Sequence, residues 1–162
     1  MSNDGGLRPL FRKNLPYYDW QSIETAMTGS GVPDSNFCSE GVEGWIENKQ
    51  MSGWKVPLRP DQIGWITRRC RYGGRVFIAA RRRHHGGIRL GDSVDELWLL
   101  RGEYARELRV DGLRKCPPDA IVGRWSGGPQ AWPWLEISRM LLEPRVFRDV
   151  RPVDRSSVAH ML

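Results

Sequence analysis

Apolar and polar positions alternate through residues 32–49, VPDSNFCSEGVEGWIENK, and the two extended runs flank a turn at Ser39-Glu40-Gly41. That pattern predicts a β-hairpin. Residues 52–60, SGWKVPLRP, read as a loop, and Pro60 with Asp61 suits the first turn of a helix. The helix would run through DQIGWITRRCRY, with Ile63, Ile66 and Cys70 on one face and Arg68, Arg69 and Arg71 mostly elsewhere. Gly73-Gly74 ends it. The compact run from Arg75 to Ala80 predicts a buried strand, residues 81–93 a loop, and Asp95 to Leu100 another strand. Gly102 to Leu113 carries a second helical pattern with Tyr104, Leu108 and Leu113 inside. A short helix is expected from about Trp132 to Glu143. Hairpin, helix, strand, strand, helix is an α/β order. The expected organisation is a flexible arm at 1–15, a core at 16–115, a Trp-rich extension with a short helix at 116–144 and a tail at 145–162.

Composition narrows the picture. At 162 residues and 40% hydrophobic, the chain affords one domain. No apolar run is long enough for a transmembrane helix, and MSNDGGLRPLFRKN lacks the apolar stretch of a secretory signal. Three scattered cysteines (Cys38, Cys70, Cys116) make neither a disulfide scaffold nor a zinc site, so a reducing cytoplasm is expected. The net charge of +6 permits nucleic-acid binding, and of 25 basic residues only Lys13, Lys49, Lys55 and Lys115 are lysine.

Candidate chemistry lies on the hairpin. Asp34 precedes Glu47 by 13 positions, about the length of one hairpin with strands of ordinary size. Trp45, Glu47 and Lys49 share one strand face and Ile46 the other. An Asp at the start of the first strand meets a Glu near the end of its antiparallel partner. Two carboxylates and a lysine then converge at one end of a sheet, which suits metal-assisted phosphodiester hydrolysis. Mg²⁺ takes one or two carboxylates plus waters and phosphate oxygens, and the backbone carbonyl of Asn48 is a natural extra ligand. Lys49 would orient or deprotonate the attacking water, or stabilise developing charge.

Pro33-Asp34 and Glu47-Asn48-Lys49 match the PD-(D/E)xK motif, and the segment resembles the virus-type replication-repair branch of that nuclease superfamily in its stand-alone phage form. Gly31 precedes Pro33 as in the branch's G-x-P-D. The later LRPDQIGWITRRCRYGGRVFIAA is similar to the family's post-motif helix and strand, with Gln62 at its glutamine. The upstream family glutamate is most simply Glu24. The resemblance covers about residues 20–80, extends more faintly to 95–113, and implies a restriction-endonuclease-like core, a mixed central β-sheet flanked by helices. It implies a DNA endonuclease dependent on Mg²⁺, or Mn²⁺, that leaves 5′-phosphates, acts on branched or structured DNA as Holliday-junction resolvases do, and works as a homodimer. Asp34, Glu47, the Asn48 carbonyl and Glu24 would hold the metal, with Lys49 and Gln62 completing the catalytic set. The polar Asn48 departs from the apolar residue usual between the Glu and the Lys, and its side chain is expected to point away from the metal. A non-catalytic nucleic-acid-binding protein on the same fold is the alternative. A restriction-type or toxin nuclease would need sequence-specific contacts, and no such motif is visible.

Arg68, Arg69, Arg71, Arg75, Arg81, Arg82 and Arg83 are candidates for phosphate contact, set against the commoner fate of arginines on a solvated face. His84-His85 would point to opposite sides of an extended segment and so would not chelate together. Trp45, Trp65 and Trp98 are expected in the core, Trp125, Trp132 and Trp134 against the last helix, and Cys38 and Cys70 as small buried residues.

Overall fold

Six strands form one sheet in chain order: β1 (Asp19–Ser22), β2 (Ser35–Ser39), β3 (Val42–Met51), β4 (Val76–His84), β5 (Val94–Arg101) and β6 (Ile121–Trp125). The computed structural model describes residues 4–23, 30–85 and 93–144. β3 and β4 pair in parallel and every other neighbouring pair is antiparallel, so the sheet is mixed. The parallel step needs a crossover, and α2 (Pro60–Arg71) supplies it. The other helices are α1 (Leu7–Asn14), α3 (Ala105–Val110) and α4 (Trp134–Leu142), with single 3₁₀ turns at Gly102–Tyr104 and Pro118–Ala120.

The hairpin of β2 and β3 forms at the expected turn. Glu40 and Gly41 both have positive φ, 50° and 75°, the conformation of a two-residue turn whose twist matches that of the strands. Ser35 pairs with Ile46 across the hairpin. Val76 to Ala80 of β4 is buried on both faces, which is why it reads as an unbroken apolar run.

Two cores flank the sheet. On one face Phe37, Ile46, Phe77, Ala79, Leu97 and Leu99 meet Leu7 and Phe11 of α1 and Ile137 and Leu141 of α4. On the other Ile78, Ala80, Trp98 and Leu100 meet Ile66 of α2 and Ala105 and Leu108 of α3. Trp132 is buried, and Trp125 and Trp134 pack against the first core, as expected for residues that hold the last helix down.

Several expectations are corrected. Residues 7–14 are a helix, not a loose arm: Leu7 and Phe11, one turn apart, are fully covered, and Leu15 follows them inside. Arg81 to His84 continue β4 instead of opening a loop, because their partners on β5 extend equally far, to Val94. The helical pattern after Gly102 yields only a 3₁₀ turn and the six residues of α3. Cys38 is exposed on β2, the outward position of its alternation. Trp45 and Trp65 are half-buried. Among the described residues no helix is long and apolar enough to cross a membrane.

Candidate active site

The hairpin register sets Asp34, one residue before β2, beside Glu47 of β3. Gly31 holds the approach: its φ is 88°, and a Cβ there would overlap the Asp61 carbonyl in the first turn of α2. The Ser30 hydroxyl donates to the Asp61 carboxylate, closing the same contact. The loop that carries Asp34 is therefore pressed onto the start of α2, from which Gln62 projects.

Gln62 sits at the third helical position. Its Oε1 accepts the Arg59 N–H at 3.0 Å, and its Nε2 donates to Glu47 Oε1 at 2.5 Å. One amide thus caps the helix and fixes a carboxylate on the strand beneath. Lys49, two residues along the same strand face, places Nζ 2.9 Å from the same Glu47 oxygen. Glu47 Oε2 is buried with no hydrogen-bond partner among the described residues. Burial pushes the Glu47 carboxyl up to about 7; the Lys49 charge opposes the shift and the Asp34 charge adds to it.

The Asp34 carboxyl is also raised, by burial first, against the hydrogen bonds of Asn48 and Ser35. Asp34 Oδ1 accepts Asn48 Nδ2 at 2.6 Å and the Ser35 hydroxyl at 3.0 Å. The Asn48 side chain therefore meets the candidate metal carboxylate, contrary to the expectation that it points away. The end of β2 leaves Asp34 open to both sheet faces, so Glu47 approaches from one and Asn48 from the other. The Asn48 N–H also faces the Asp34 carboxylate. N–H and C=O of one strand residue point to the same side, so its carbonyl points past the end of β2 as well. Asn48 Oδ1 is buried without a hydrogen-bond partner among the described residues. Arg8 of α1, held by Asp4 at 2.8 Å, lies close enough for its charge to favour ionised Asp34.

Sequence reasoning missed the Asn48 amide, Ser35 and Arg8. The first two need the strand register. Arg8 was legible only as the i+4 partner of Asp4, a helix signal inside a segment read as an arm.

Asp34, Glu47, Asn48, Lys49 and Gln62 come together. Glu24 lies outside the described residues. Among those described, no third His, Cys, Asp or Glu joins the pair to make a larger metal-binding cluster. Two carboxylates and a backbone carbonyl still match the sparse protein ligation of a hydrated Mg²⁺, and the unpartnered Glu47 oxygen is the atom such an ion would satisfy.

The seven arginines divide. Arg81 makes a two-pronged ion pair with Asp95 (2.8 and 2.6 Å) and donates to the Gly5 carbonyl, and it is 9% exposed. Arg82 pairs with Glu96 at 3.2 Å and lies 4.0 Å from the Trp54 ring centre. Arg83 donates to Gln50, and Arg75 caps the carbonyls of Leu141 and Glu143 at the end of α4. These four hold the fold together. Arg68, Arg69 and Arg71 are exposed in the last turns of α2. His84 and His85 are exposed and far along β4 from the carboxylates. No protein family, characterised protein or solved structure matches the chain.

Proposed function

We propose that the chain is a metal-dependent DNA endonuclease with a restriction-endonuclease-like core. The observation that carries the reading is Glu47, a buried carboxylate with one oxygen fixed by Lys49 and Gln62 and the other unpartnered beside Asp34. Asp34, Glu47 and the Asn48 carbonyl would hold Mg²⁺ or Mn²⁺. When bound, the ion lowers the pKa of a coordinated water and offsets charge on the phosphate. Gln62 keeps Glu47 aimed at the site. Asn48 and Ser35 hold Asp34 by donating to one of its oxygens. Lys49, as a cation bonded to Glu47, serves better as a donor to the phosphate oxygens and attacking water than as a base. Arg8 adds positive charge beside Asp34.

Branched DNA is the proposed substrate, a homodimer the working form and the cytoplasm its place. A four-way junction needs two symmetric cuts, and a twofold dimer supplies two sites. Supercoiled plasmid and four-way junctions incubated with Mg²⁺ or Mn²⁺ should be cut, with activity lost in Asp34→Asn and Lys49→Met. DNA binding without cleavage by either metal would instead favour a non-catalytic binding protein.

A further inference from the structure

The helix that carries Gln62 continues into a cavity of about 320 Å³ lined by Trp65, Arg68, Arg69, Tyr72, Gly73 and Gly74. Trp45 stands two residues before Glu47 on the same face of β3, about 7 Å away along the strand. Trp65 stands one turn beyond Gln62 on α2. The two indoles meet edge to face, with centres 5.2 Å apart. The Arg69 guanidinium lies 5.6 Å from the Trp65 ring centre and 6.0 Å from that of Trp45. Tyr72, the C-cap of α2, is 84% exposed, more than any other large apolar or aromatic residue described. Its backbone is not loose: the Gly73 and Gly74 N–H groups donate to the Cys70 and Arg69 carbonyls at 3.0 and 2.9 Å, a paired helix ending that fixes the turn.

The charge here is not neutralised by acids. No carboxylate among the described residues forms an ion pair with Arg68, Arg69 or Arg71, whereas Arg81 and Arg82 are both neutralised. The negative end of the α2 dipole accounts for part of this charge. It does not account for two half-buried indoles and an exposed phenol set beside it. Aromatic side chains interleaved with guanidinium groups that no carboxylate neutralises are the chemistry that binds an unpaired strand: rings stack on bases and arginines neutralise phosphates. A base inside a duplex has both faces covered by its neighbours and offers nothing to such a wall.

We infer that this cavity is a stacking subsite for an unpaired nucleobase, walled by Trp65, Tyr72 and Arg69, with Arg68 and Arg71 on the flanking phosphates. Tyr72 follows Gln62 by ten positions along α2, about 15 Å of helix axis at 1.5 Å per residue, or about four stacked nucleotide steps of ~3.4 Å. The strand that reaches Asp34 and Glu47 is therefore splayed or single-stranded within a few nucleotides of the bond to be cut. Only this link to cleavage rests on the nuclease reading; binding does not.

The test is fluorescence anisotropy of the full chain in EDTA with labelled oligothymidylate and, separately, a blunt duplex of equal length. Wild type should prefer the single strand. Tyr72→Ala should weaken oligothymidylate binding between about 5-fold and 100-fold, the range of one lost base stack, without changing the melting temperature. Tyr72→Phe should restore it, and Arg69→Gln should weaken binding and lower its salt dependence. Equal binding by Tyr72→Ala, preference for duplex, or no binding to either probe would overturn the subsite. So would concentration-dependent self-association on gel filtration that Tyr72→Ala abolishes, since the face would then seat a second copy. Tyr72-dependent binding with no cleavage in Mg²⁺ would keep the subsite and sink the nuclease; cleavage with no Tyr72 dependence would do the reverse.

Discussion

Glu47 and Glu96 are both almost fully buried on the same sheet face, yet their surroundings differ. Glu96 spends both oxygens: Oε1 accepts Arg82 at 3.2 Å, and Oε2 accepts Arg124 at 3.0 and 2.8 Å. The two guanidiniums in turn lie over indoles, Arg82 on Trp54 and Arg124 on Trp98. Glu47 has one lysine and one amide on a single oxygen, and the other has no partner among the described residues. A buried acid with both oxygens engaged is part of the framework. One left half-satisfied beside a second acid is, on the proposed reading, kept for a ligand, because an unmade hydrogen bond in the interior is costly.

The sharpest break in the comparison is functional. Glu47→Gln and Asp34→Asn should each cut plasmid nicking by at least ~10³-fold, about 4 kcal/mol of transition-state stabilisation, with the fold intact by circular dichroism. Glu96→Ala should do the opposite. It leaves Arg82 facing a buried void, and about 3 kcal/mol of stability should go in urea titration, while the carboxylate site keeps its Mg²⁺ response. A third expectation concerns the metal directly. Millimolar Mg²⁺ should stabilise wild type by about 1–2 kcal/mol, read as a rise in melting temperature, and should leave Glu47→Gln unmoved. An equal rise in both proteins would mean the ion binds elsewhere.

The smallest effect is in pH. The Glu47 carboxyl is raised from its ordinary value of 4.5 to about 7, so the folded chain holds its proton more tightly than the unfolded one. Its contribution to metal-free stability is therefore complete below 4.5 and is lost as pH rises through about 7. In EDTA, the melting temperature of wild type relative to Glu47→Gln should fall across that window. Mg²⁺ must displace the same proton, so its apparent affinity should rise up to about tenfold per pH unit below 7 and flatten above. A flat profile would remove Glu47 from the ligand set.

The legible parts of the sequence were those fixed by local rules. The hairpin turn, the Pro60 helix start and the pairing of Asp34 with Glu47 follow from turn chemistry and strand periodicity, and the structure places all three as expected. Residues whose roles depend on distant partners were not legible. Arg81 looked like part of a basic loop, and only the β4–β5 register brings it to Asp95. Leu7 and Phe11 were hidden among glycines and basic residues, because two apolar positions make a weak pattern until a core covers them. β1 and β6, four and five residues long, offer too little alternation to distinguish an edge strand from a loop. The Asn48 side chain was assigned by strict alternation, which fails where β2 stops and both faces open onto one carboxylate.

The two-residue turn at Glu40-Gly41 carries a rule about descent. With no slack between β2 and β3, one residue gained in either strand alone would flip Glu47 to the opposite face and strand Asp34 without its partner. Matched gains in both strands would preserve the pair. Chains that inherit this site on such a hairpin should therefore keep an odd interval between the two acids, as the 13 positions here do, however far their other residues drift.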